Sequence, residues 1–82
     1  MLLSKEVSDL LIAQLGHEME NHILYNTFAN YFAWEGLPSL EEYYYKRASE
    51  EKVHHDWILH YLTDADCVVK YPKLNTDVSI ES

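Results

Sequence analysis

One tetrapeptide, Glu35-Gly36-Leu37-Pro38, dictates the plan of this chain. On either side of it lie long stretches with little to interrupt a helix, since the 82 residues contain only two glycines and two prolines. Gly36 suits the left-handed position that ends a helix, and Pro38 cannot extend the helix before it. The upstream segment is expected to be helical from about residue 4 to 35, with Ser4 as N-cap, Glu6 in the first turn and Gly16 as its interior breaker. The downstream segment is expected to be helical from about 39 to 66, where Ser39-Leu40-Glu41-Glu42 fits a capping box. Residues 1–70 therefore read as an all-α antiparallel hairpin. Residues 71–82, rich in Asn, Thr, Ser and Asp after Tyr71-Pro72, read as an extended tail or the remnant of a crossover.

Helices of about 30 residues span roughly 45 Å, and a hairpin of that length covers only one side of each arm. A partner is needed to close the core. Two copies packed face to face would make a four-helix bundle, so the chain is expected to be a homo-oligomer, at least a dimer. A second apolar edge on the first helix, Ile12, Leu15, Met19 and Ile23, points either to contacts beyond a dimer or to a seat for the tail. The net charge of −8 disfavours nucleic acid and anionic membrane surfaces and favours cations. No stretch approaches the roughly 20 apolar residues of a membrane span. The single cysteine, Cys67, cannot close an internal disulfide, and the cytoplasm is its simplest home.

Helical spacing exposes an anomaly in the core. Val7, Leu11, Gln14, Glu18, His22, Tyr25, Ala29 and Phe32 share one face of the first helix, and Leu40, Tyr44, Ala48, Glu51, His55, Ile58 and Leu62 share one face of the second. Both stripes are apolar at their ends and acidic in the middle. An isolated carboxylate in a core costs several kcal/mol unless it is protonated or paired. Neither carboxylate has an obvious basic partner at matching depth; Arg47 can reach inward, but from one turn away. A divalent metal resolves the conflict, because carboxylates and neutral imidazoles are ligands that iron or manganese accepts. Residues three apart on a helix lie about 5–6 Å from one another at Cβ, so Glu51 and His54 can hold the same ion. His55 lies nearer the centre of the stripe than His54, and spacing alone does not choose between them.

The stretches "LIAQLGHEMENHILY" (11–25), "YFAWEGLPSLEEYYYKRASEEKVHHDW" (31–57) and "LHYLTD" (59–64) resemble the ferritin and bacterioferritin family. Glu18 falls on the glutamate of that family's first helix, and Glu51 and His54 fall on its Glu-x-x-His. The resemblance implies a ferritin-like four-helix bundle and a di-iron carboxylate centre with Glu18, Glu51 and His54 as ligands, with manganese or zinc as substitutes. It also implies ferroxidase activity, the oxidation of Fe²⁺ to Fe³⁺ by oxygen, feeding iron storage or detoxification. Tyr25 matches the family tyrosine beside the centre, which hydrogen-bonds near it or gives up an electron. Lys52 stands where bacterioferritins carry their haem-ligating methionine, so no haem is expected. The family's full subunit has four helices, and these 82 residues correspond to the first two. One copy offers three ligands, and a two-fold dimer would bring two such sets together.

Each residue also has a plainer reading. A Glu-rich helix face is ordinarily solvated, but the apolar positions on the stripe of Glu51 and His54 argue against that there, and for Glu18 the family match does. His22 and His55 are extra ligand candidates that packing would equally explain. His17 and His60 read as surface residues, and Trp34, Trp57 and Tyr43–Tyr45 as packing. The competing function is a structural or interaction module, a truncated ferritin-like hairpin without productive metal chemistry.

Overall fold

A computed structural model describes residues 3–78 and residue 80. The outermost positions of the expected hairpin and tail segments, residues 1, 2, 79, 81 and 82, lie outside the described residues. Two helices, α1 (Lys5–Trp34) and α2 (Pro38–Asp64), form an antiparallel hairpin, and there is no strand among the described residues. None of the helices is long and apolar enough to cross a membrane.

The ends of α1 follow from its sequence. Ser4 adopts an extended backbone, and its hydroxyl accepts from the Val7 amide at 3.2 Å. At the other end Gly36 takes φ +74°, which lets Gly36 N–H reach Ala33 O and Leu37 N–H reach Phe32 O. This is the paired closure of a Schellman turn. The same turn displaces the expected start of α2. Leu37 is the N-cap, its carbonyl accepts from Glu41, and Pro38 occupies the first helical position, where its fixed φ and missing N–H cost nothing. Ser39 therefore lies inside the helix and caps nothing. α2 ends on a second Schellman turn with Asp66 at φ 59°, a conformation that Asp tolerates better than most residues.

From Cys67 to Val78 the chain is extended and runs back along α1. Tyr71 stacks on the His55 ring, and the Asn75 amide donates to Glu20 Oε2 at 2.7 Å. At Gly16 the fit is closest, since a Cβ there would stand 2.9 Å from Pro72 Cγ and 3.4 Å from Leu74 Cδ2. The glycine in the middle of α1 is a notch for this strap. Part of the second apolar edge of α1 is covered in this way, and Leu15 is fully buried.

The core itself is thin. Its buried apolar residues are Leu15, Ala29, Ala48, Leu62 and Ala65. The radius of gyration is 15.3 Å, against about 12 Å for a compact globule of this length. Large apolar side chains stay in solvent, among them Trp34, Trp57 and Tyr61.

Candidate metal centre

α1 contributes Glu18 and α2 contributes Glu51 and His54, and one donor atom from each lies within 4.8 Å of the others. Helix geometry explains the pairing on α2, where three residues make almost one turn. Antiparallel packing then sets Glu18 opposite. His54 Nδ1 lies 3.6 Å from Glu18 Oε2 and 3.8 Å from Glu51 Oε2. Glu51 is buried and Glu18 nearly so, whereas the His54 side chain is 46% exposed. The cluster thus opens to solvent on the imidazole side.

Its electrostatics are unbalanced without a cation. Gln14, one turn before Glu18, donates to Glu18 Oε1 at 2.9 Å and fixes that carboxylate. Glu18 Oε2 is buried, and no hydrogen bond of good geometry reaches it. The Glu18 carboxylate beside it, followed by burial, pushes the Glu51 carboxyl above its ordinary 4.5. Burial works to raise Glu18 as well, but its neighbours Glu51, Gln14 and His54 outweigh it and hold Glu18 below 4.5. Two carboxylates thus compete for one proton. A divalent ion is the charge that would satisfy both, and the set of hard oxygens with one imidazole fits Fe²⁺, Mn²⁺ or Zn²⁺.

The other sequence candidates lie elsewhere in the hairpin. His22 is tied across it, with Nδ1–H donating to Ala48 O at 2.6 Å while Nε2 accepts from Asn26 at 3.2 Å. His55 is buried under the strap, Nδ1–H donating to Asp56 Oδ1 at 2.9 Å and Nε2 accepting from the Tyr71 hydroxyl at 2.6 Å. Both rings have their nitrogens engaged and stand outside the Glu18–Glu51–His54 cluster. Tyr25 packs against Phe28 and Tyr44, with the Arg47 guanidinium 5.3 Å above its ring centre.

One neighbour of the site is missed by the sequence reading: Gln14 sits four residues before Glu18, a spacing that announces a side-chain contact, but is assigned only to the core stripe. Arg47 does reach inward from one turn away, bringing Nη2 to 3.9 Å from Glu51 Oε1, because an arginine stem reaches along the helix face.

In comparison with known protein families, residues 8–81 match the family described as Ferritin-like domain. No curated protein matches the chain.

Proposed function

Because the chain belongs to the ferritin-like domain family, we propose that it binds Fe²⁺ as a substrate at Glu18, Glu51 and His54 and passes its electrons to oxygen. The observation that carries this reading is Glu18 Oε2, a buried carboxylate oxygen without a hydrogen-bond partner, facing an imidazole and a second carboxylate. Each Fe²⁺ gives up one electron, and oxygen takes two with two protons, so a pair of ions is the natural stoichiometry. In this reading Glu18 and Glu51 neutralise the incoming charge, His54 supplies a nitrogen ligand, and Gln14 keeps Glu18 in place. Fe³⁺, with its higher charge, is held more tightly by the same oxygens, which favours oxidation.

Three donors make an incomplete shell for one ion and half a shell for two, so a second set of ligands has to come from outside this hairpin. We assign it to a second copy of the chain. Tyr43, Arg47, His54, Trp57 and Tyr61 recur at helical spacing on α2, and Tyr43, Trp57 and Tyr61 are at least half exposed. A partner covering this stripe would bury aromatic surface and close the open side of the cluster. Shared cations would offset repulsion between two chains of net charge −8. A cytoplasmic setting, where Cys67 stays reduced, agrees with a site for Fe²⁺.

Aerobic mixing of Fe²⁺ with wild type and Glu51→Ala tests the chemistry, followed by the absorbance of Fe³⁺. The wild type is expected to oxidise iron well above the buffer rate and the variant is not. Equal rates at buffer level would leave the structural-module reading, which the small donor set of one hairpin favours. Light scattering tests the shared site, and a monomer at micromolar concentration would contradict it.

A further inference from the structure

The contacts of Arg47 are all long: 3.4 Å from Nη1 to the Tyr43 hydroxyl, 3.6 Å from Nε to Glu50 Oε2 and 3.9 Å from Nη2 to Glu51 Oε1. Its Nε is buried and has no hydrogen bond of good geometry. An arginine committed to a carboxylate ordinarily makes short, often bidentate bonds to it. Here the guanidinium is parked on the Tyr25 ring and touches only the far oxygen of Glu51, with His54 on the side of the near one.

We infer that Arg47 is a resident counter-charge for Glu51 and sets how tightly the site takes a divalent cation. The inference rests on the reading of Glu18, Glu51 and His54 as ligands. Glu51 Oε2 faces the cluster and Oε1 faces the guanidinium, so the charge of Arg47 acts on the same carboxylate that would hold a cation. In the cation-free hairpin its charge eases the burial of Glu51. Once an ion arrives the same charge opposes it, and Arg47 has somewhere to go, since Glu50 is the more exposed of its two acidic neighbours. Arg47 is a positioning and affinity-setting residue, not a ligand.

The size of the effect follows from Coulomb's law. A +1 and a +2 charge roughly 6 Å apart repel enough, even at water's dielectric of about 80, to change affinity about tenfold. Removing Arg47 also lets Glu51 hold its proton more tightly, which returns part of that gain, so measurement belongs at about pH 7.5. Co²⁺ serves as the probe, because its visible bands report ligation without iron chemistry. Calorimetric and spectroscopic titrations would compare wild type, Arg47→Gln, Arg47→Lys and Glu51→Gln. Arg47→Gln is expected to bind Co²⁺ several-fold to tenfold more tightly, and Arg47→Lys, which keeps the charge, to stay near wild type. Equal or weaker binding by Arg47→Gln, with an unchanged helical circular dichroism spectrum, overturns the inference. So does a gain that Arg47→Lys shares, since loss of packing alone would produce it. If wild type and Glu51→Gln bind Co²⁺ equally weakly, it is the ligand assignment that fails.

Discussion

Glu51→Gln should make the cation-free protein more stable while destroying its response to cations. The substitution keeps the shape of the side chain and removes one of two competing acids. It also provides an amide N–H beside Glu18 Oε2, the buried oxygen that lacks a partner. A new hydrogen bond to a charged acceptor contributes about 1.5–3 kcal/mol. Against this stands the loss of the Arg47–Glu51 pair, at 3.9 Å and with the arginine 39% exposed, which is worth about 0–1 kcal/mol. A net gain of about 1 kcal/mol remains, equivalent to a rise in Tm of about 4–8 °C for a chain of this size. Wild type, in contrast, should gain about 2.7 kcal/mol from a cation present at about 100 times its Kd, whereas the variant gains almost nothing. Thermal melts followed by circular dichroism, with and without Zn²⁺ at fixed protomer concentration, read both effects. A Glu51→Gln protein that melts below cation-free wild type would show that the carboxylate pair is not a source of strain. Equal Zn²⁺ shifts in the two proteins would show that Glu51 is not a ligand.

Further outcomes are expected. Because Glu51 is held above 4.5, the folded state keeps its proton to higher pH than the unfolded chain does, so its contribution to cation-free stability declines as pH rises through that window. Glu18, held below 4.5, contributes in the opposite sense, and its share is lost as pH falls through its folded value. Cation binding should weaken in acid, where protons compete for the same carboxylates, as followed by calorimetry across pH; binding unchanged at about pH 5 would contradict these ligands. Gly16→Ala should gain about 1 kcal/mol of helix propensity but lose more by lifting Pro72, and the loss should vanish in a Pro72→Ala background; a double-mutant coupling below about 0.5 kcal/mol would show that the strap does not rest on this notch. His22→Ala removes a cross-helix hydrogen bond to Ala48 O, for an expected cost of about 0.5–1.5 kcal/mol by urea unfolding, and an unchanged midpoint would show that this bond does not hold the helices together. Tyr71→Phe should speed cleavage of residues 67–78 in limited proteolysis while leaving the melting of the two helices nearly unchanged, and an unaltered rate would mean that the His55 contact does not hold the strap.

The hairpin was legible because its signals are local. Ser4 and Gly36 act within one turn of themselves, and each does in the structure what its residue type demands. Ser39 misled for a related reason. Its capping pattern is sound alone, but the Schellman turn on Gly36 hands Leu37 directly to Pro38, and the helix has begun before Ser39 is reached. The stop at Asp66 gave no glycine to read, so the end of α2 could be placed only approximately. Long-range choices were harder. Spacing did not separate His54 from His55, which stand about 100° apart around α2; the difference is made by what lies opposite, Glu18 for one and Tyr71 of the strap for the other. The course of residues 67–78 has no period at all. Its signals are the second apolar edge of α1, read as a seat for the tail, and Gly16, where a missing side chain in mid-helix marks a close neighbour.

The placement of the acidic cluster along the arms has a consequence for motion. Glu18 lies 13 residues from one end of α1 and 16 from the other, about 20 Å and 24 Å at the helical rise. Unwinding begins at helix tips and dies away over a few turns, so neither tip disturbs this midpoint. With the loop clasping one end of the pair and the extended segment laid along the other, the donors occupy the quietest stretch of two long levers. An ion lodged there would be felt as a rivet at mid-span.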